Sequence, residues 1–300
     1  MMDFMDEHRE ADGVEPICKV LQVAPSTDDL HAARRADPAQ RSARAQRDAV
    51  LMEQIQRVWD EHFQVDGVRQ VWRQLHREGL VVARCPVARL MRQMGLKGVV
   101  RGQAVKTTIS DQAVACPDDL VNRQFQAERP NALWVSDLTD VSTWQGVVDV
   151  AFVIDVFARC IVGWKVSSSM RTEFVLDALE QALAARRLAR QGAFIHHRDR
   201  GSPSVSIRDT ERLGEAGIAP SVGRVGDSDD NALAETIHGL YKAEVIHRQS
   251  WKSREAVELA TLTGVDWFNH RRLLEPIGHV PPAKAEAAYD RQLDEPALTA

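Results

Sequence analysis

Apolar positions repeat with a helical period from Gln46 onward. Val50, Leu51, Ile55, Val58 and Trp59 fall on one stripe at i, i+3, i+4 and i+7 spacings. Val68, Val71, Trp72 and Leu75 form a second stripe, and Gly79 supplies a stop. The run "CPVARLMRQMG" predicts a third short helix, with Pro86 in its first turn and Gly95 past its end. Three short helices with tight turns suit a helix-turn-helix arrangement. The third would carry Arg84, Arg89 and Arg92, where a recognition helix carries its DNA contacts. Residues 1–45 read as a helical or loose lead-in, without an aromatic after Phe4.

The period changes beyond a polar stretch that contains Pro117. "LWVSDLTDVST" alternates as a strand does, and "VVDVAFVIDVFARCIVGWKVS" reads as a hairpin bent near Asp155–Arg159. An amphipathic helix, "TEFVLDALEQALAARRLA", follows. Next come a short apolar strand ending at "AFIHH" and a helix over "DSDDNALAETIHGLYKAEVI" with a Ser/Asp start. A last helical region is "SREAVELATLTGVDWFNHRR". The chain therefore divides into a lead-in (1–45), a helix-turn-helix-like DNA-binding region (46–104), a linker (105–125) and a mixed α/β unit (126–290).

Charge sharpens the division. The chain is −5 overall, yet residues 31–110 hold 15 Lys/Arg against 7 Asp/Glu. A basic block inside an acidic chain fits a nucleic-acid footprint or a solvated helical surface. The four cysteines form no CxxC pair, which argues against a disulfide framework and a zinc knuckle and suits a reducing cytoplasm. No apolar run approaches the roughly 18 residues of a membrane span, and no membrane partner is expected.

Several catalytic patterns fail on inspection. "HRD" at 197–199 resembles a kinase catalytic loop, but Ser204 stands where Asn is required. The stretch from Asp227 begins like a calcium loop, with Ala232 in place of its glycine and His238 in place of its final glutamate. What remains is three carboxylates at informative places: Asp137 within a strand, Asp199 past a strand end, and Glu235 on a helix. Three convergent acids repel one another unless cations neutralise them. Hard oxygen ligands favour Mg2+ or Mn2+, and two such ions form a clamp for in-line phosphoryl transfer. Asp137 has a companion at Asp140, and strand alternation sends these two side chains to opposite faces.

Spacing ties the acids together. Thirty-five residues separate Asp199 from Glu235, and 61 separate Asp137 from Asp199. This resembles the Asp, Asp, thirty-five, Glu arrangement of transposases and retroviral integrases. The words "RPNALWVSDLT", "FVIDVFARCIVGW", "HHRDRGS", "GDSDDNALAET" and "DWFNHRRLLEPIG" closely resemble the catalytic-frame (orf B) transposases of bacterial insertion sequences, over about residues 14–290.

The resemblance implies an α/β fold: an RNase H-like integrase catalytic core, with a five-stranded mixed sheet and flanking helices, preceded by a helical helix-turn-helix region. Asp137, Asp199 and Glu235 would be catalytic and would hold two Mg2+ or Mn2+ ions. Water would attack when a 3′ end is released, and that 3′-hydroxyl would attack in strand transfer, without a covalent protein–DNA intermediate. Asn231 and Lys242 lie on the helix face of Glu235 and would contact DNA. Implied partners are transposon-end and target DNA, the first-frame (orf A) protein, and further copies of the chain in a synaptic complex. The implied location is the bacterial cytoplasm, at the nucleoid when bound to DNA. The rival expectation is an impaired relative that only binds DNA, or dimerises with an active transposase and inhibits it. A general RNase H-type nuclease fits less well, because "WFNHRRLLEPIG" resembles transposases specifically.

The chain departs from the family in one repeated way. Positions 28, 29, 66, 140, 149, 209 and 229, usually Tyr in relatives, are Asp here. Pro203 and Ser204 replace a usual Gln-Tyr, and His238 replaces a usual Asn. Asp140 and Asp149 are expected to face the core, where an unpaired carboxylate costs several kcal/mol.

Overall fold

The computed structural model describes residues 2–100, 119–121, 124–169, 172–186, 194–198, 212–222 and 232–294. Helices α1 (Met2–Asp12), α2 (Val14–Leu21) and α3 (Pro25–Ala36) open the chain. The first two bury Met5, Ile17 and Cys18 together. The lead-in is thus helical, with a small core of its own.

Helices α4 (Ala43–Glu61), α5 (Val68–Arg77) and α6 (Arg84–Gln93) follow the three periodic stretches. Ser42 caps α4, its hydroxyl accepting from the Ala45 N–H at 3.2 Å. The stripes meet in one core of Ile55, Val58, Val71, Leu75, Val87, Leu90 and Met91. The Trp72 indole donates to the Val82 carbonyl at 2.8 Å and pins the turn between α5 and α6.

This three-helix unit is docked rather than tethered. After α4 the backbone turns left-handed at Phe63 and Gln64, an uncommon conformation for side-chain-bearing residues. The turn sends Phe63 and Val65 into the main core, where the Phe63 ring lies 5.0 Å from that of Trp267. The Val99 N–H closes on the Val65 carbonyl at 2.9 Å. Here the backbones of Gly67 and Gly98 approach so closely that a Cβ on Gly98 would lie 2.6 Å from the Gly67 Cα.

The α/β unit is a five-stranded sheet: β1 (Leu133–Thr143), β2 (Gly146–Asp155), β3 (Cys160–Ser167), β4 (Ile195–Arg198) and β5 (Ala219–Val222), in the order β3-β2-β1-β4-β5. The first three strands are antiparallel neighbours, whereas β4 runs parallel to β1 and β5 parallel to β4. The sheet is therefore mixed. Alternation along β1 sends Leu133, Val135 and Val141 to one core and Trp134 and Leu138 to the other.

Helix α7 (Thr172–Arg186) covers the second face over β2 and β3, burying Phe174, Ala178, Leu179 and Ala182. Helices α8 (Ala232–Tyr241) and α9 (Arg254–His270) cover the first face. A π-helical segment, Lys242–Ile246, continues α8. Asn269 of α9 fixes the edge strand, accepting from the Ile161 N–H at 3.0 Å and donating to its carbonyl at 2.8 Å. Helix α10 (Pro282–Asp294) returns to α7, where Arg186 and Glu286 make paired hydrogen bonds of 2.9 and 2.8 Å. None of the helices among the described residues is long and apolar enough to cross a membrane.

Candidate active site

Strand β1 and helix α8 meet at Asp137. The residue shares its face with Val135 and Val141, so its carboxylate points towards α8. Its side chain is 22% exposed, open enough to reach a ligand. Oδ1 accepts from the Leu138 N–H at 2.8 Å, and Oδ2 lies 3.1 Å from Nδ1 of His238 on α8. Glu235 stands one turn before His238 on the same helix and is exposed. Buried Leu233, Ala234, Ile237 and Tyr241 hold the opposite side of α8 in the core. The structure thus brings the strand carrying Asp137 against the helix carrying Glu235.

Asp199 follows directly after β4, which pairs in parallel with Leu133–Ser136 of β1. The register sets Ser136 beside Arg198, so the chain leaves β4 level with Asp137. Asp199 and Asn231 themselves lie outside the described residues. So do Asp209, Asp229, Pro203 and Ser204. Among the described residues, no group of three His, Cys, Asp or Glu side chains is arranged to hold a metal ion.

The donor chemistry still fits a hard divalent cation. The Asp137 side chain is 22% exposed, and its polar contacts among the described residues are the Leu138 N–H and the His238 ring. Each carboxylate oxygen has two acceptor positions, so both keep room for a cation. Glu235 adds a second carboxylate from the neighbouring helix. Lys242, the nearest cation along that helix, is engaged elsewhere, 3.1 Å from Oδ1 of Asp140.

That pairing corrects the expectation for Asp140. Its side chain is 60% exposed rather than core-facing. The physical reason is coverage: α7 lies over β2 and β3 and leaves this end of β1 open. Burial alone would raise the Asp140 carboxyl, but the hydrogen bond and charge of Lys242 outweigh it and hold the carboxyl below its usual range. Asp149, directly opposite on β2, is half-buried, and burial together with the Asp140 charge pushes it up. Asp28 and Asp66 are buried outright. Asp66 Oδ2 sits 2.8 Å from His62 Nδ1, although the two atoms are not aligned as a hydrogen bond.

The DNA-facing expectations divide in the same way. Arg84 and Arg92 are exposed on α6, whereas Arg89 is drawn to Asp48 of α4 at 2.7 Å. A cleft of about 770 Å³ lies between the end of α4, the π-helical segment and α9, lined by Phe63, Val245, Trp251 and Leu259 among others. It contains neither Asp137 nor Glu235. The contact between His238 and Asp137 was not foreseen from the sequence, although the i, i+3 step from Glu235 was visible there.

Comparison with known proteins gives this geometry a family. The integrase core domain family matches residues 127–228, with a second integrase core description over 216–282, and an HTH-like domain family matches residues 45–104. A transposase of insertion sequence element IS629 from Shigella sonnei is 63% identical over 289 residues, 96% of each chain. The chain belongs to the insertion-sequence transposases. The IS3411 transposase of Escherichia coli is 63% identical across 62% of this chain and 78% of its own length. The IS904 transposase of Lactococcus lactis is 30% identical across 79% and 93% respectively. Among solved structures, the HTLV-2 integrase catalytic core is 14% identical and covers 53% of this transposase and 99% of its own chain, at a TM-score of 0.43. The integrase core domain and the preceding HTH-like domain are properties of this chain and its family.

Proposed function

We propose that this transposase cleaves and joins DNA strands at the ends of its insertion sequence as a divalent-metal-dependent polynucleotidyl transferase. Asp137, Asp199 and Glu235 would hold the ions, Mg2+ or Mn2+. When bound, such ions supply Lewis-acid chemistry, activating an attacking oxygen and stabilising a leaving one at a phosphodiester. The observation that carries the reading is the approach of α8 to β1. It sets the Glu235 helix against the Asp137 carboxylate, with which no Lys or Arg of the described residues pairs.

The protein's own residues have separate tasks. Asp137 presents a carboxylate held at one oxygen by the Leu138 N–H, with the His238 ring 3.1 Å from the other. Asp199 would approach from the end of the adjacent parallel strand, and Glu235 from the exposed side of α8. Arg84 and Arg92 on α6 would hold DNA phosphates, with Arg89 partly committed to Asp48. Asn231 and Lys242 would contact DNA beside the acids. The partners of this reading are end and target DNA, the orf A protein of the element and further copies of the chain. It places the protein in the bacterial cytoplasm, at the nucleoid when DNA-bound.

The test is a strand-transfer assay on end DNA in Mg2+ or Mn2+, with and without the orf A protein. Asp199→Asn is expected to abolish both cleavage and joining. Undiminished activity in that variant would refute the assignment. Salt-dependent DNA binding by the parent without turnover in either metal would instead identify an inhibitor of transposition.

A further inference from the structure

Trp144 stands at the tip of the β1–β2 hairpin and is 70% exposed. A single exposed apolar residue is ordinary, but this indole is neither loose nor alone. The Trp144 backbone N–H donates to the Trp251 carbonyl at 3.0 Å, and Thr143 forms a parallel bridge with Trp251. The Thr143 hydroxyl donates to the Gly146 carbonyl at 2.7 Å and accepts from the Gln145 N–H at 3.2 Å, which closes the turn. Trp251 is buried, its indole donating to the Ile246 carbonyl at 3.0 Å. The tip is thus tied to the core through the chain that follows the π-helical segment.

That chain also brings cations. The Lys252 ammonium lies 5.8 Å from the centroid of the Trp144 ring, within cation–π range. Lys252 and Arg248 are exposed, and neither forms an ion pair among the described residues. Arg254, by contrast, is held by Glu255 at 3.1 Å. Lys242 lies nearer Asp137, beside Asp140. Cations therefore accompany β1 from the level of Asp140 to its end.

An exposed aromatic face beside a free ammonium matches a nucleotide, which offers a base to stack and a phosphate to neutralise. An apolar protein partner would bury Lys252 without a counter-charge, at a cost. A duplex keeps its base faces within its own stack, so only an unpaired base can meet the indole. Such stacking tolerates any base, because each has a π face.

We propose that the hairpin tip and the segment beside it form a contact for unpaired DNA. A base stacks on the Trp144 indole, and Lys252 neutralises a neighbouring phosphate. The contact lies seven residues beyond Asp137, about 23 Å along β1. It rests on the reading that this protein acts on DNA, but not on the metal ligands.

The test is fluorescence anisotropy of labelled oligothymidine, and of a blunt duplex of equal length, with the full chain in EDTA. The variants are Trp144→Ala, Trp144→Phe and Lys252→Met, each also melted thermally. Trp144→Ala is expected to weaken oligothymidine binding about tenfold, with Trp144→Phe recovering most of the loss. Duplex affinity and melting temperature should stay at parental values in both. Lys252→Met should reduce the salt slope for oligothymidine by about 0.7. Unchanged oligothymidine affinity in Trp144→Ala, with a parent that binds both probes, would overturn the proposal and leave the DNA reading standing. Equal losses on both probes, or equal losses in the Ala and Phe variants with lowered melting temperatures, would overturn it in favour of a structural role. Self-association of the parent that Trp144→Ala abolishes, with oligothymidine binding intact, would assign the tip to a second copy of the chain. A parent that binds neither probe would refute the DNA reading beneath it.

Discussion

Asp140 and Asp149 stand directly opposite one another across the antiparallel β1–β2 ladder, and Lys242 reaches the first of them at 3.1 Å. The ammonium keeps Asp140 ionised, so the repulsion falls on Asp149. Like charges at facing positions destabilise a sheet by up to about 1 kcal/mol.

Removing the Asp149 charge should therefore stabilise the protein. Asp149→Asn is expected to raise the melting temperature at pH 7 by about 2 °C. A raised folded-state carboxyl costs stability once pH exceeds its pKa, so this gain should fade on acidification. Asp140→Tyr alone should bring no gain, since the position is exposed and the Lys242 pair is lost. Melting curves at two pH values check all three statements, and identical curves for parent and Asp149→Asn would contradict the first.

Lys242 is a candidate phosphate contact that Asp140 partly neutralises. Exposed ion pairs are weak, so DNA can compete for the ammonium, but at a cost in affinity. Asp140→Asn is expected to tighten end-DNA binding at low salt and steepen its salt dependence by about one counterion. Lys242→Met should have the opposite effect. Unchanged slopes in both variants would remove Lys242 from the DNA interface.

Gly163 on β3 is where α7 comes closest to the sheet. A Cβ there would lie 2.2 Å from the Ala178 carbonyl oxygen and 2.9 Å from the Ala182 Cβ. Backbone cannot yield as a flexible side chain can. Gly163→Ala is expected to destabilise the protein by about 3 kcal/mol or more, read as a lower urea midpoint. Ala182→Gly should not rescue it, because the nearest clash is with the helix backbone.

Asp155 is fully buried at the end of β2. Burial pushes its carboxyl up to about 6, against the opposing pull of the Asn131 and Phe157 N–H groups that donate to it. The folded state then binds this proton more tightly than the unfolded state does. The stabilisation is complete below the unfolded pKa near 3.8 and is lost as pH rises through 6. The loss is on the order of 3 kcal/mol, at about 1.4 kcal/mol per pH unit. Asp155→Asn has no such proton to lose and should gain on the parent between pH 4.5 and pH 7 in urea unfolding. A pH-independent difference would count against the assignment.

Local pattern and spacing carried much of the reading. Period-two alternation over Leu133–Val141 specified β1 and its two faces, because a strand turns its side chains by a fixed step. The i, i+3, i+4 stripes of α4, α5 and α6 specified three helices for the same reason. The 35-residue gap between Asp199 and Glu235, together with words such as "GDSDDNALAET" and "DWFNHRRLLEPIG", carried the family resemblance and needed no geometry to do so.

Contacts between elements distant in sequence were settled by tertiary packing alone. Strand alternation separates the faces of Asp137 and Asp140, but which face lies open depends on how far α7 extends over the sheet. Phe63 and Val65 leave the three-helix unit to meet Trp267 because two left-handed residues redirect the chain, a choice that Phe and Gln do not announce. His238 looks like an ordinary helix residue until α8 is laid on β1, more than 90 residues away in sequence. Hydrophobic periodicity is a property of one element, whereas the partner of a buried polar atom depends on where a second element comes to rest.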